Sequence, residues 1–419
     1  MDNSLADDAV RIARDLIRFD TTNTGDERSA GEREAAEYVV GLLQKLGHEP
    51  VYVESAPRRG SVVLRLEGQD QTRPALVLHG HLDVVPADRS EWTADPFGAE
   101  VRDGAIWGRG AVDMKDMDAM ILAVVSDWSR RGVKPTRDIV IGFFADEEAG
   151  GRLGSHWLVE RKPELFAGAT EAVSEVGGFS VELAGRRAYL IQTAEKGMEW
   201  LRLVAQGTPG HGSAINPDNA VEHLAAALAR IAAQPWPTRL TATVEALLRG
   251  AADLTGLRFD PEDQQTVAAL LDAFGPAKRF VGASAATALN VTSLSAGSKV
   301  NVVPRTASAT VDLRPLPGQS QAARAEVARL AGPGVQVEAI YEDIALEAPI
   351  DTPLVGAMKA ALAAVDPAAA TLPYMLAGGT DGKALSRLGI VSYGFAPLRL
   401  PSGFDFTAMF HGVDERVPV

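Results

Sequence analysis

The sequence predicts an α/β protein with a mixed sheet covered by helices on both faces and a smaller α+β domain inserted into it. Three features predict this fold: short, nearly continuous apolar runs alternate with helical patterns, the pattern changes near residue 195, and the first pattern returns near residue 346. Strands that are apolar along their whole length are typical of a sheet buried on both faces. We therefore expect one domain from residues 1–194 and 346–419, and an inserted domain over residues 195–345.

The first domain is expected to open with two helices, because apolar residues recur at helical spacing over residues 10–17 and 35–46. A third helix is expected over about residues 116–131. The strands predicted around it are SVVLRL, PALVLHG, RDIVIGFFA and EAVSEVG. After residue 346, an alanine-rich helix, the glycine-rich stretch GGTDGKAL and the apolar run GIVSYGFAP complete this domain.

The inserted domain is expected to contain the strands EWLRLVAQG, ALNVTSLSAG, ASATVDLRP and GVQVEAI. Its helices are expected at PDNAVEHLAAALARIAA and over about residues 321–330. A long segment, residues 234–288, interrupts this pattern. Its apolar residues either pack as helices over a pocket or form a self-contained helical insertion, and both possibilities stay open.

The composition restricts the classes of function. Apolar residues make up 46% of the 419 residues and charged residues 23%, as in a soluble globular protein. The net charge of −14 repels phosphate and anionic lipid, so we expect neither nucleic acid nor membrane as a partner. No apolar run approaches the ~18 residues of a membrane span, and the N-terminus has no cationic leader, so a cytoplasmic location is expected. The absence of cysteine excludes disulfides and thiolate chemistry.

Histidine and acidic residues follow several of the predicted strands. They are His81 and Asp83 in LHGHLDVVP, Glu147 and Glu148 in FFADEEAGG, and Glu175 in VSEVGG, together with Asp113 before a helix in GRGAVDMKD. Because the carboxyl ends of parallel strands converge on one crevice, these side chains can meet there. Nitrogen and oxygen ligands suit Zn²⁺, with Mn²⁺ or Co²⁺ as substitutes, and His411 in FHGVDERVP offers a second imidazole.

Each of these residues also has a purely structural interpretation. His81 and Asp83 can form a satisfied pair at a strand end, and Asp113 can be an acid favoured by a helix N-terminus. Glu147 and Glu148 can lie in a solvated turn. Since they directly follow IVIGFFA, however, at least one of them is expected close to the core, where it needs a charge partner.

The ordered set of motifs resembles the family of co-catalytic dinuclear zinc metallopeptidases that includes aminoacylases, acetylornithine deacetylase, succinyl-diaminopimelate desuccinylase and glutamate carboxypeptidase. The matching stretches, in chain order, are GHLDVVP, WTADPF, IWGRGAVDMKD, ADEEAGG, SEVGG, GTPGHGS, NVVPRTASATVDLR, GGTDGKAL and HGVDE. The resemblance implies a catalytic domain with an inserted lid and dimerisation domain, and two Zn²⁺ ions per subunit.

The resemblance also implies the metal ligands. Asp113 would bridge the two ions, His81 and Glu175 would complete the coordination of one, and Glu148 and His411 that of the other.

Further roles follow from the resemblance. Glu147 would be the general base, and Asp83 would fix the imidazole of His81 and raise its basicity. His79 matches no ligand and is assigned to packing. His211 in PGHGS would reach the active site of a neighbouring subunit and donate to the developing oxyanion, which implies a homodimer through the lid domain. Its alternative is a solvated histidine in a glycine-rich turn.

Substrate contacts are implied at two places. Asn301 and Arg314 match positions that grip a substrate carboxylate, although Arg314 can otherwise belong to a surface ion pair. Gly378, Gly379 and Thr380 in GGTDG match a loop that lines the substrate pocket, although as a bare sequence this stretch is only a turn.

The expected function is hydrolysis of an amide bond next to a free amino-acid carboxylate, with an N-acyl-amino acid as the small-molecule substrate. The alternatives are a metallocarboxypeptidase or dipeptidase, and a catalytically inactive metal-binding relative. Some carboxypeptidases of the family carry an arginine where this chain reads YEDIALEAPI, and its absence here argues against a carboxypeptidase.

Overall fold

The computed structural model describes residues 4–419. Its helices are α1 (Ser4–Ile17), α2 (Arg33–Lys45), α3 (Lys115–Arg131), α4 (Ser155–Arg161), α5 (Ala220–Ala232), α6 (Ala242–Thr255), α7 (Gln264–Asp272), α8 (Lys278–Val281), α9 (Ser320–Ala331), α10 (Pro353–Val365) and α11 (Gly382–Ser386). Its strands are β1 (Val51–Glu54), β2 (Gly60–Leu66), β3 (Ala75–His81), β4 (Glu100–Arg102), β5 (Ala105–Trp107), β6 (Ile139–Phe144), β7 (Ala169–Ser174), β8 (Ser180–Leu183), β9 (Arg186–Glu195), β10 (Met198–Gln206), β11 (Gly210–His211), β12 (Ala288–Ala296), β13 (Val302–Val303), β14 (Thr306–Arg314), β15 (Val335–Asp343), β16 (Leu346–Glu347), β17 (Ala370–Leu376), β18 (Val391–Gly394) and β19 (Arg416–Pro418).

The largest sheet is mixed, as predicted, and carries the order β1-β2-β6-β3-β7-β18-β9-β16. Strands β6, β3, β7 and β18 run parallel to one another, whereas β1, β2, β9 and β16 join the series by antiparallel pairing. Strand β17 pairs with β9 in parallel and β8 pairs with it antiparallel. The carboxyl ends of β6, β3 and β7 therefore lie side by side at one edge.

Helices cover both faces of this sheet. Along β2, Val62 and Leu64 join the apolar core shared with α1, α2 and α3, whereas Val63 between them joins a second core with α4 and α11. Strand β6 alternates in the same way, because Ile141 belongs to the first core and Val140 to the second. Since successive strand residues point to opposite faces, both faces are buried, which confirms the predicted fold class.

A smaller antiparallel sheet with the order β12-β14-β10-β15 forms the inserted domain. Leu201 and Leu203 of β10 and Val311 of β14 pack with α5 and α9 in a separate apolar core. Strand β12 is largely exposed along its length. None of the helices within residues 4–419 is both long and apolar enough to cross a membrane.

The segment from α6 to α8 packs on the large sheet. Val244 and Leu248 of α6 and Leu270 of α7 belong to the core of the large sheet, and α6 packs directly against β17. The approach is close because Gly250 has no side chain: a Cβ there would lie 2.3 Å from Leu372 Cδ2. The apolar stripe of this segment covers the β9 and β17 side of the large sheet.

Candidate metal centre

Three neighbouring strands deliver side chains to one site. Strand β3 ends at His81, β7 is followed directly by Glu175, and β6 is followed by a short 3-10 turn, Glu147–Ala149. Asp113 reaches the same place from the loop before α3, and His411 reaches it from the segment after β18. Residues separated by more than three hundred positions therefore meet at one edge of the sheet.

Asp113 lies at the middle of this cluster. Its Oδ1 is 3.2 Å from His81 Nε2, and its Oδ2 is 3.1 Å from His411 Nε2. Glu175 Oε2 lies 3.7 Å from His81 Nε2, and Glu148 Oε2 lies 3.2 Å from His411 Nε2. The side chains thus form two groups of three possible ligands that share the carboxylate of Asp113. In each group, the three ligand atoms lie within 4.8 Å of one another.

The charges of this cluster are poorly balanced by the protein itself. Burial raises the pKa of Glu175 to about 8 and that of Glu148 to about 7. Hydrogen bonds to Asp113 and Glu148 raise the pKa of His411 to about 10. Glu148 Oε1 is buried without a hydrogen-bond partner among the described residues. The carboxylates and His81 are buried or nearly so, whereas His411 lies at the exposed side of the cluster. A set of carboxylate and imidazole ligands of this kind fits two divalent cations.

Glu147 belongs to neither group but lies beside both. Its Oε2 is 3.9 Å from His81 Nε2, and its side chain lines the same cavity as Asp113. Burial raises the pKa of Glu147 well above its usual value, and the neighbouring carboxylates Glu175 and Glu148 add to that effect. A carboxyl group in this environment accepts a proton readily.

Asp83 lies against both His81 and the turn of the two glutamates. His81 Nδ1 lies 2.9 Å from the main-chain oxygen of Asp83 and 3.6 Å from its Oδ1, so the backbone carbonyl makes the shorter contact to the imidazole. The Asp83 carboxylate also accepts hydrogen bonds from the backbone amides of Glu147 (3.1 Å) and Glu148 (3.0 Å), and from Asn23 Nδ2 (2.8 Å). It thereby fixes the turn from which the two glutamates diverge.

Three non-glycine residues of the site have left-handed backbone conformations. Asp146 has φ 69°, Val176 has φ 54° and His411 has φ 57°. Such conformations cost about 1–3 kcal/mol each and persist where surrounding contacts hold them. The carboxylate of Asp146 accepts from the amide of Leu153 at 2.9 Å, and the carbonyl of Val176 accepts from the hydroxyl of Tyr374.

Glu415 is a supporting residue that the sequence analysis missed, although it lies in the quoted stretch HGVDE. Its buried carboxylate accepts from the amides of Val112 (2.7 Å) and Asp113 (3.1 Å) and from Arg109 Nη1 (2.7 Å). The segment that carries His411 is in this way tied to the loop that carries Asp113.

The cluster opens into a cavity of about 440 Å³. Gly378, Gly379, Thr380 and Arg314 all line it. The position of Thr380 is fixed by Glu195, because the amide and the hydroxyl of Thr380 both donate to this buried carboxylate. Arg314 donates through Nε and Nη2 to Asp312, at 2.6 and 2.9 Å, so this pair leaves Nη1 for a ligand.

His211 and Asn301 lie elsewhere. Both are exposed on the inserted domain, where Gly212 donates to the main-chain oxygen of Asn301 at 2.9 Å, and neither lines the cavity. His79, which was assigned to packing, is fully buried and stacks on Phe144 with a centroid distance of 5.5 Å. Burial lowers the pKa of His79 to about 3, so this imidazole is neutral.

The long segment between the strands of the inserted domain reaches the cavity. Arg279 and Phe280, both in α8, line it, and Phe280 packs against Phe410 with a centroid distance of 5.0 Å. The apolar residues of α6 and α7 pack in the core of the large sheet instead, so among the described residues of this segment only those of α8 line the cavity.

Comparison with known proteins identifies one family and several similar hydrolases. Residues 77–419 match the family model described as peptidase family M20/M25/M40. Among curated proteins, the chain is 28% identical to an N-fatty-acyl-amino acid synthase/hydrolase PM20D1 of Xenopus tropicalis over 74% of this chain and 62% of that protein. It is 26% identical to human (Homo sapiens) aminoacylase-1 over 98% of this chain and 90% of that protein.

Among solved structures, the fold resembles the dipeptidase Dug1p of Saccharomyces cerevisiae, with a TM-score of 0.71 and 16% identity over 99% of this chain and 93% of that chain. At this identity the likeness concerns the fold. The match to the Xenopus protein spans less than two thirds of that relative's length.

We expect Asp83→Asn to destabilise the protein by about 1–3 kcal/mol. The backbone amides of Glu147 and Glu148 each donate to a different carboxylate oxygen of Asp83, whereas an asparagine side chain has only one acceptor oxygen. The free energy of unfolding in urea is the measurement. The control is Asp88→Asn, because Asp88 also accepts from a backbone amide but is exposed. This substitution should change the free energy of unfolding by less than about 0.5 kcal/mol. Equal effects of the two substitutions would show that the Asp83 carboxylate does not hold the turn.

Proposed function

The chain belongs to the peptidase family M20/M25/M40, and on that premise we propose that it is a metal-dependent hydrolase of N-acyl-amino acids. The bond cleaved is the amide next to a free amino-acid carboxylate. The observation that carries the proposal is the pair of three-ligand groups sharing Asp113, with Glu147 beside them at the floor of a cavity. The similarity to an aminoacylase and to an N-fatty-acyl-amino acid hydrolase supports the choice of substrate.

His81 and Glu175 would hold one cation, Glu148 and His411 the other, and Asp113 both. We propose Zn²⁺, with Co²⁺ or Mn²⁺ as substitutes, because the donors are imidazole nitrogens and carboxylate oxygens. When bound, the two cations supply a Lewis acid for the scissile carbonyl and lower the pKa of water at the site.

Glu147 would move the proton in this reaction. Its partly buried carboxylate would take a proton from the attacking water and pass it to the leaving nitrogen, which would otherwise depart as a strongly basic anion. The hydrogen bonds from the turn to Asp83 keep Glu147 apart from Glu148, so that one carboxylate is free for proton transfer while its neighbour faces His411.

The amino-acid carboxylate of the substrate would lie near Arg314 and the loop of Gly378 and Gly379. The remaining Nη1 of Arg314 can donate to a carboxylate, and glycine backbone amides can approach it closely because no side chain intervenes. Both features line the same cavity as Glu147.

The zinc-loaded protein should hydrolyse N-acetyl-amino acids and leave unblocked dipeptides of the same residues intact. Release of the free amino acid across a panel of both substrate classes is the measurement. A protein that cleaved only the dipeptides would be a dipeptidase or carboxypeptidase, and one that cleaved neither would contradict the proposal.

Glu147→Gln should lower kcat by about 10²–10⁴-fold while the bound metal remains, because the amide cannot accept the proton. Turnover of the best N-acyl-amino acid and metal content of the same sample are measured together. Glu160→Gln, at an exposed position on α4, is the matched control and should leave both unchanged. Near wild-type turnover in Glu147→Gln would mean that another group is the base.

We also propose that the protein is a homodimer through the inserted domain, and that His211 completes the partner's site. Strand β12 ends the smaller sheet, and within residues 4–419 only its β14 side is paired. Large apolar side chains of this domain are exposed: Leu294 on β12 by 66%, Val302 on β13 by 47%, and Ile215 in the loop after β11 by 99%. An exposed edge strand with apolar neighbours is a ready surface for a second copy.

His211→Ala should lower kcat by about 10²–10³-fold, as expected for loss of one oxyanion donor. Co-expression of His211→Ala with Glu147→Gln should then restore about a quarter of wild-type activity, because half of randomly formed dimers are mixed and each has one intact site. The two variants purified separately are the control. Full activity of His211→Ala, or no restoration in the mixed dimers, would refute the role across the subunits.

A further inference from the structure

We propose that Phe280, together with Phe410, forms the wall of a subsite for an uncharged apolar substituent of the substrate, an inference that rests on the proposed hydrolase function. Phe280 is supplied by α8, at the end of the long segment that separates the strands of the inserted domain. The subsite would sort substrates by the size of the acyl chain or of the amino-acid side chain.

The wall belongs to an aromatic cluster with an inner and an outer layer. Phe179 and Phe406 form the inner layer, with 1% and 6% of their surface exposed and ring centroids 5.0 Å apart. Phe280 and Phe410 form the outer layer, are only half-buried, and face the cavity. The inner rings hold the outer ones in place, since Phe280 lies 5.9 Å from Phe179 and Phe410 lies 5.3 Å from Phe406.

The wall begins next to the predicted ligands. Phe410 directly precedes His411, and Val176, which also lines the cavity, directly follows Glu175. A substituent one or two bonds from a carbonyl held at the ligand cluster would therefore lie against these side chains. Leu376 and Met198 extend the same apolar lining. Covering half-exposed rings with an apolar group removes apolar surface from water on both partners, which favours binding.

The charges near the wall favour an uncharged substituent over an acidic one. Arg279, the residue next to Phe280, donates to Asp405 at 2.9 Å, so its charge is already matched. Lys383, which also lines the cavity, is 1% exposed and donates to the main-chain oxygens of Lys196 and Ile344. Lys383 Nζ also lies 3.3 Å from Glu195 Oε2, so an acidic substituent would have to compete with the acidic partners that both cations already have.

The test compares two substrate series on wild type and Phe280→Ala. One series lengthens the acyl group on alanine from acetyl to butanoyl to hexanoyl, and the other enlarges the side chain of N-acetyl-amino acids from alanine to leucine to phenylalanine. We expect the ratio of kcat/KM between the largest and the smallest substrate to fall by about 10-fold or more in one series. The series affected identifies which substituent the wall contacts.

The ratio is measured within one sample, so it does not depend on the fraction of the variant that folds. Phe280→Leu keeps an apolar side chain, so its ratio should lie between those of Phe280→Ala and wild type. If Phe280→Ala is inactive, the same comparison is made with Phe280→Leu. Phe259→Ala, on the same segment but outside the cavity lining, is the matched control and should leave both ratios at the wild-type value.

Unchanged ratios in both series for Phe280→Ala and Phe280→Leu would overturn the inference, because the ring would then only support the fold. A wild-type protein that hydrolyses no N-acyl-amino acid would instead refute the proposed function, and the two failures are thereby separated.

Discussion

The structure depends on one electrostatic constraint: several carboxylates are gathered at a single buried place. Asp113, Glu148 and Glu175 lie within reach of two imidazoles, and Glu147 is adjacent. Buried carboxylates without compensation are costly, and their pKa values rise until protons or cations neutralise them. In this protein His81 and His411 supply only part of the compensation. The proposed cations would supply the rest, and metal binding would then be linked to folding and to protonation of the site.

The fold meets this constraint by fixing the ligands from several sides. The neighbouring parallel strands β6, β3 and β7 end at the same edge, so three chain segments arrive together. The hydrogen bonds of Asp83 and Glu415 then hold the turn of Glu147 and the loop of Asp113. Val176 and His411, which have left-handed backbone conformations, lie in segments held by such contacts: Tyr374 donates to the carbonyl of Val176, and Glu415 ties the segment of His411 to the loop of Asp113.

Much of this arrangement could be predicted from the sequence, because apolar runs that stop at acidic residues mark strand ends near a site. The sheets of both domains and the convergence at His81 and Glu175 follow from that pattern. The packing of α6 on β17 could not be predicted, since an apolar stripe indicates that a helix is buried but not against which partner. The sequence also does not reveal that the main-chain oxygen of Asp83 contacts the imidazole of His81, or that its carboxylate accepts from the backbone amides of the Glu147 turn. Those contacts depend on distances that only the folded chain sets.

The most direct test of the account is the metal stoichiometry of the chelator-treated protein, titrated with Zn²⁺ and followed by elemental analysis and calorimetry. The wild type should bind two equivalents with release of protons, because metal displaces the protons that the buried site otherwise holds. Glu175→Gln should weaken one equivalent, and Asp113→Asn should weaken both, since its carboxylate faces both imidazoles. A single equivalent in the wild type, or undiminished binding of two by Asp113→Asn, would contradict the shared site.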